Sequence, residues 1–204
     1  MLKSIHKSVV RYFKAYSVNA VYLTCPQIVA AISSIVTLPI ILGNIPGSEY
    51  GKMQFILAIF GWLSVFTFAR ISAESKIGIA KGYEGNFFYA IFTRLKLSIP
   101  VIIFCLLASI SFLYFDKKVL GVISLMATAS LIVNNIVNNS ISQLLVAKEL
   151  FHYFAWFGSI TLLMRQIASA IAACYTHNII YMFSARLCAS FVIVVITLFL
   201  LLKR

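Results

Sequence analysis

The sequence predicts an all-α integral membrane protein, and three observations carry that expectation. Apolar residues make up 62% of the 204-residue chain and charged residues only 11%, too little polarity to cover a water-exposed domain. The apolar residues come in runs close to the ~20 residues that cross a hydrocarbon core as a helix. Runs such as FVIVVITLFLLL at 191–202 do not alternate, whereas barrel strands of about ten residues alternate between lipid-facing and lumen-facing side chains.

Six segments are long enough to span, and together they form a single six-helix membrane lobe over residues 1–204. The first, about Tyr16 to Leu42, contains Pro26 and Pro39, which free backbone carbonyls and allow bending. Gln27 and Ser34, seven apart beside Pro26, make a small polar stripe on one helical face. This span is long and has no short apolar core followed by a small-residue cleavage site, so no signal peptide is expected. The second span covers about Met53 to Phe68. Residues 69–96, ARISAESKIGIAKGYEGNFFYAIFTRLK, are too polar to span, and their interleaved cations and aromatic rings suit one or two helices lying at the inner interface. The third span covers about Ile99 to Phe115 and the fourth about Val119 to Ala147. The first and fourth exceed the minimum, which implies tilt, kinking or extension beyond the bilayer.

The fourth span carries LIVNNIVNNSISQ, with Asn134, Asn138 and Ser142 on one face and Asn135, Asn139 and Gln143 beside them. Asparagine and serine act as interhelical glue worth about 0.6 kcal/mol per bond. Six such groups on adjoining faces suit a hydrated wall. The fifth span, about Trp156 to Tyr175, has Arg165 at its centre and otherwise no charge. An arginine there costs about 2.5–3.5 kcal/mol on insertion scales and should face protein or a water-filled cavity. Gly158, Ser169 and Ala172 share its helical face. The sixth span, about Ile179 to Leu202, repeats the arrangement with Arg186 beside Ala189, Ser190, Ile193 and Thr197. The five acidic residues, Glu49, Glu74, Glu84, Asp116 and Glu149, fall in loops or at span ends. No intramembrane carboxylate is therefore expected to neutralise either arginine, and an anionic partner is implied. Phosphate fits, because a guanidinium can hold two of its oxygens at once.

The net charge of +12 is not read as a nucleic-acid face, since the cations flank apolar spans. Lys3, Lys7, Arg11 and Lys14 precede the first span; Arg70, Lys76, Lys81, Arg94 and Lys96 lie between the second and third. With Lys148, Lys203 and Arg204 these make twelve on one side, against Lys52, Lys117 and Lys118 on the other. Positive charge marks the cytoplasmic side, so both termini are expected there. Cys25, Cys105, Cys174 and Cys188 all fall inside spans and read as packing residues without disulfides. His6, His152 and His177 are solitary, and no Cys/His set has metal-ligand spacing. No catalytic residue, metal or cofactor is expected, and the chain does not read as an enzyme.

Two stretches, NIPGSEYGKMQF at 44–55 and FARISAESKIGIAKG at 68–82, carry a family resemblance. The turn of the form P-x-x-E-Y-G, here Pro46, Glu49, Tyr50 and Gly51, is followed by Ala69-Arg70, Ala73-Glu74 and Lys81-Gly82. In these features the chain resembles the polysaccharide and O-antigen flippases of the multidrug, oligosaccharidyl-lipid and polysaccharide exporter superfamily. The resemblance implies the N-terminal lobe of a two-lobe carrier in the bacterial inner membrane. It implies movement of a lipid-pyrophosphate-linked oligosaccharide, an O-antigen or other surface-polysaccharide repeat unit, through a central cavity. The partners would be that anionic lipid, the membrane, and a second six-helix lobe or another copy of this chain. Arg70 joins Arg165, Arg186, Asn134, Asn138, Ser142 and Gln27 as a candidate cavity residue. Two alternatives are a cation-coupled drug antiporter of the same superfamily and a non-transporting scaffold in polysaccharide assembly. The antiporter would need Asp or Glu inside the membrane, which the expected spans lack.

In intact cells, and in a background without the four native cysteines, Gly47→Cys and Asn178→Cys should label from outside with an impermeant thiol reagent. Gly82→Cys should not; external labelling there would invert the topology.

Overall fold

A computed structural model describes the backbone of residues 2–67, 69–83 and 85–202, and the side chains among these other than those of 2–17, 66–70, 72, 73, 135 and 200–202. The basic residues of both chain ends, His6, Arg70 and Asn135 therefore have side chains outside the described residues, as has Glu84. The described elements are all helical, with no strand among the described residues: α1 (Leu2–Asn44), α2 (Gly47–Leu63), α3 (Ala69–Ala80), α4 (Asn86–Tyr114), α5 (Lys118–Ser130), α6 (Asn139–Ala147), α7 (Phe151–Thr176) and α8 (Ile179–Leu202). A 3₁₀ turn, Ser64–Thr67, follows α2, and a π-helical segment, Leu131–Asn138, joins α5 to α6.

Among the described residues five helices are long and apolar enough to cross a membrane: Val18–Asn44, Asn86–Tyr114, Lys118–Ala147, Phe151–Thr176 and Ile179–Phe199. The second expected span falls on α2, which has 17 residues and passes into the 3₁₀ turn. The third begins earlier than its apolar run suggested, at Asn86 rather than Ile99. Consequently Arg94 and Lys96, read from the sequence as charges of an inner loop, stand within the α4 helix. Arg94 is fully buried there.

Short turns make sequential helices neighbours. Pro46 has no N–H to continue α1, and its carbonyl instead accepts from Glu49 and Tyr50 in the first turn of α2. At three other joints the chain reverses through a left-handed residue, Asp116 (φ 58°), Glu149 (φ 57°) and His177 (φ 48°). After the first two, the next N–H reaches back five residues, Lys117 to Phe112 and Leu150 to Leu145, the six-to-one bond of a Schellman ending. The same bond, Tyr83 to Gly78, closes the α3–α4 hairpin around Gly82 at φ 94°.

Two apolar clusters hold the helices together. One, near the α1–α2 and α7–α8 turns, joins Ile41, Ile45, Met53, Ile56, Cys105, Ile123, Met182 and Phe183. The other, near the α3–α4 and α6–α7 turns, joins Ile79, Phe87, Ile141, Leu144, Leu145 and Val194. The segment 69–96 thus forms a helical hairpin whose Ile79 and Phe87 are buried against α6. All four cysteines are free, two of them exposed.

Apolar side chains gain little from leaving lipid for protein, so helix association in a membrane depends on close packing. The α1–α7 contact shows this. A Cβ at Gly158 would stand 2.8 Å from Pro26 Cγ, so only glycine admits the proline ring, and Cys25 Sγ lies 3.8 Å from Ser159 Oγ alongside. Gly158→Leu should destabilise the folded protein by about 1–3 kcal/mol. Gly61→Leu, where a Cβ meets nothing within 4 Å, should leave thermal unfolding in detergent near that of the unsubstituted protein.

Candidate functional site

Three helices present polar groups at helical spacing toward a common space. On α1, Ser33, Thr37 and Ile41 are buried at successive fourth positions. On α7, Thr161, Ser169, Ala170 and Ala173 are buried. On α8, Met182, Phe183 and Ser190 are buried on the side that carries Arg186. Gln166 ties α7 to α1: its Nε2 donates to Ser34 Oγ at 3.2 Å, and its Oε1 accepts from Thr37 Oγ1 at 3.3 Å. Thr37 Oγ1 also lies 2.8 Å from the Ser33 carbonyl.

A cavity of about 440 Å³ opens beside this bridge. Its polar lining comes from Ser34, Thr37, Tyr50, Gln54, Gln166, Ser169 and Arg186, and methionine, leucine and isoleucine side chains complete it. Gln54 Nε2 donates to Tyr50 Oη at 2.7 Å, so the α2 wall presents a joined phenol and amide. The lining mixes hydroxyls, amides and one guanidinium, and no carboxylate belongs to it. Such a surface can bond neutral polar groups along most of its extent and an anion at Arg186.

Arg165 lies next to Gln166 on α7. Its Nε is buried without a hydrogen-bond partner. Among the described residues neither this guanidinium nor that of Arg186 forms an ion pair; the salt bridge between Asp116 and Lys118, 3.4 Å, is exposed at the α4–α5 turn. Both arginines share a local design. The Ser169 hydroxyl donates to the Arg165 carbonyl at 2.7 Å, and the Ser190 hydroxyl donates to the Arg186 carbonyl at 3.0 Å. The serine on the small-residue face of each arginine thus bonds the backbone rather than the guanidinium.

Not every expected cavity residue converges here. Gln27 is exposed on α1. Asn134, Asn138 and Ser142 lie on the π segment and α6, away from the Arg186 cavity. The asparagines form their own ladder, Asn134 Nδ2 donating to Ser130 Oγ at 2.9 Å and Asn138 Nδ2 to Asn134 Oδ1 at 3.1 Å. Asn138 Oδ1 is buried and accepts nothing. Of the turn motif, Tyr50 reaches the cavity wall, Pro46 accepts the first-turn bonds of α2, and Gly51 lies within that helix; Glu49 does not line the cavity. Sequence reasoning missed Gln166, Thr37 and Gln54. The available signals were Gln166's adjacency to Arg165 and the four-residue spacing of Tyr50 and Gln54.

His152 accepts from Trp156 Nε1 at 3.1 Å and meets the Tyr22 ring edge-on at 5.9 Å. His177 Nδ1 lies 3.3 Å from the Asn44 carbonyl at the α1 end. Both are exposed, and among the described residues no group of three His, Cys, Asp or Glu side chains could hold a metal.

No family model, no curated protein and no solved structure matches this chain. What the fold and the site define is a multi-pass, all-helical membrane protein with a polar, cationic cavity between its helices.

Gln166→Leu removes both bonds between α7 and α1. At about 0.6 kcal/mol per interhelical bond, it should lower unfolding free energy in a bilayer by about 1 kcal/mol, measurable by steric trapping or denaturant titration.

Proposed function

We propose that this chain is one lobe of a bacterial inner-membrane flippase that carries a lipid-pyrophosphate-linked oligosaccharide from the cytoplasmic to the outer leaflet. The observation that carries the reading is the pair Arg165 and Arg186. They are two cations on adjoining helices without ion pairs among the described residues: Arg165 has a buried Nε with no acceptor, and Arg186 lines a cavity whose other polar groups are hydroxyl, phenol and amide. Pyrophosphate would take the guanidinium donors, and the neutral polar wall would accept sugar hydroxyls. The absence of a carboxylate from the cavity lining favours this over a cation-coupled drug antiporter, whose coupling chemistry needs one.

In this reading α2 is the sixth crossing. Its 17 residues rise about 25 Å, at the lower limit for a span, and the 3₁₀ turn extends it. Both termini and the α3–α4 hairpin then face the cytoplasm. A second six-helix lobe, or a second copy of this chain, encloses the far side of the path, because polar groups facing lipid are costly.

The test is transport by the chain reconstituted with its partner lobe, given labelled lipid-linked oligosaccharide in one assay and a cationic dye in another. Lipid movement without dye efflux is expected; dye efflux alone would sink the proposal in favour of the antiporter. Arg165→Ala should cut flipping by about 10–100-fold, the scale of a lost hydrogen bond to a charged group, with membrane abundance unchanged. Arg165→Lys should be intermediate, keeping the charge but losing the planar fork. Arg165→Glu should be as inactive as alanine. Full transport by Arg165→Ala would make the arginine structural.

A further inference from the structure

The carbonyl of Ile136 stands near the place where the π-helical segment gives way to α6, and an unusual set of donors meets there. It accepts the Asn139 backbone N–H, the Ser140 hydroxyl at 2.7 Å and Nη1 of Arg94 at 3.4 Å. The same Nη1 lies 3.3 Å from Ser140 Oγ. Arg94 comes from α4, 42 residues away in sequence, and is 0% exposed. Among the described residues no other fully buried side chain is charged.

A π-helical stretch of 8 residues calls for a cause. The wider helix packs less well about its axis, and such stretches occur mostly as single turns, often at functional positions. Apart from Leu131, every residue of LIVNNIVN is β-branched or asparagine, and these are weak helix formers. The segment has little intrinsic preference for the α form, so a tertiary tie can decide its register. The tie lies close to the end of the segment, and the asparagine ladder runs through it.

We infer that Arg94 is a positioning residue: by gripping the Ile136 carbonyl and the Ser140 hydroxyl it holds the segment in its π register, and so sets where Asn134 and Asn138 point. Without the grip the segment relaxes toward α-helix. A slip of one residue turns α6 by about 100° and shifts it about 1.5 Å along its axis. Small residue changes at this tie would thereby re-aim the buried Asn138 carbonyl oxygen and the helix beyond it. The inference rests on the fold alone and stands whether or not the chain carries an anionic lipid.

The test uses the full chain in nanodiscs, in a background lacking the four native cysteines. Spin labels are attached at Gln143→Cys on α6 and Ile160→Cys on α7, and distances are measured by pulsed electron resonance. Arg94→Met should change the distance distribution by several ångströms, since a 100° turn moves a point on the surface of a helix 10–12 Å across by about 8 Å. Amide exchange across 136–142 should quicken by about 10–100-fold, the scale of one lost hydrogen bond to a charged group. Arg94→Lys should restore part of both, and Ser140→Ala, which removes one acceptor and leaves the charge, should move both in the same direction by less. A lower melting temperature with unchanged distance and exchange in Arg94→Met would mean that Arg94 only adds stability, and the inference would fall. If Arg94→Met does not fold, Ser140→Ala decides: an unmoved distance and exchange there overturns the proposal, and a shift toward the rotated state supports it.

Discussion

A guanidinium inside a membrane helix needs oxygen acceptors, and the way three arginines meet that need divides this protein into a scaffold and a site. Arg94 reaches a backbone carbonyl and a serine hydroxyl of a neighbouring segment and is sealed from the surface. Arg165 has a buried nitrogen with no acceptor, and Arg186 on the adjoining helix lines the cavity. The first arrangement is a finished internal tie. The second leaves charge waiting for a partner that the described residues do not supply, and the cavity beside Arg186 is where a partner has room.

The rest of the fold keeps these two regions distinct. Tight turns at Asp116, Glu149 and His177 force adjacent helices to run back alongside one another, and two apolar clusters fasten the bundle near opposite sets of turns. The cavity lies against the cluster containing Ile41, Met53 and Met182, which themselves line it. The Arg94 tie lies toward the other cluster, whose Ile141 follows Ser140 directly. Packing between α1 and α7 is close enough at Gly158 and Pro26 to exclude a side chain, so the Gln166 bridge is held by backbone proximity rather than by long, adaptable side chains.

Within the α5–α6 span the amide ladder and the π segment coincide. Asn138 bonds Asn134 four residues before it, and Asn134 in turn bonds Ser130. The Asn138 carbonyl oxygen is unsatisfied, and it lies next to the stretch that Arg94 holds.

By itself the sequence determined the helical class, the approximate place of five spans and the position of Arg165 and Arg186 within two of them. These follow from hydropathy, run length and the cost of a charge in hydrocarbon, all properties of a segment taken alone. Tertiary structure decided what depends on which segments meet. Gln166 and Thr37 form a bridge only because α1 and α7 touch. Gln27 is exposed, although Ser34 seven residues on takes a bond from Gln166 on α7. The asparagine stripe belongs to a different region from Arg186, although periodicity alone allowed them to share a wall. Arg94 shows the limit most plainly, since charge and position in a polar stretch marked it as an inner-loop cation. Its burial depends on acceptors 42 and 46 residues further along the chain, and no local pattern reports a partner that distant.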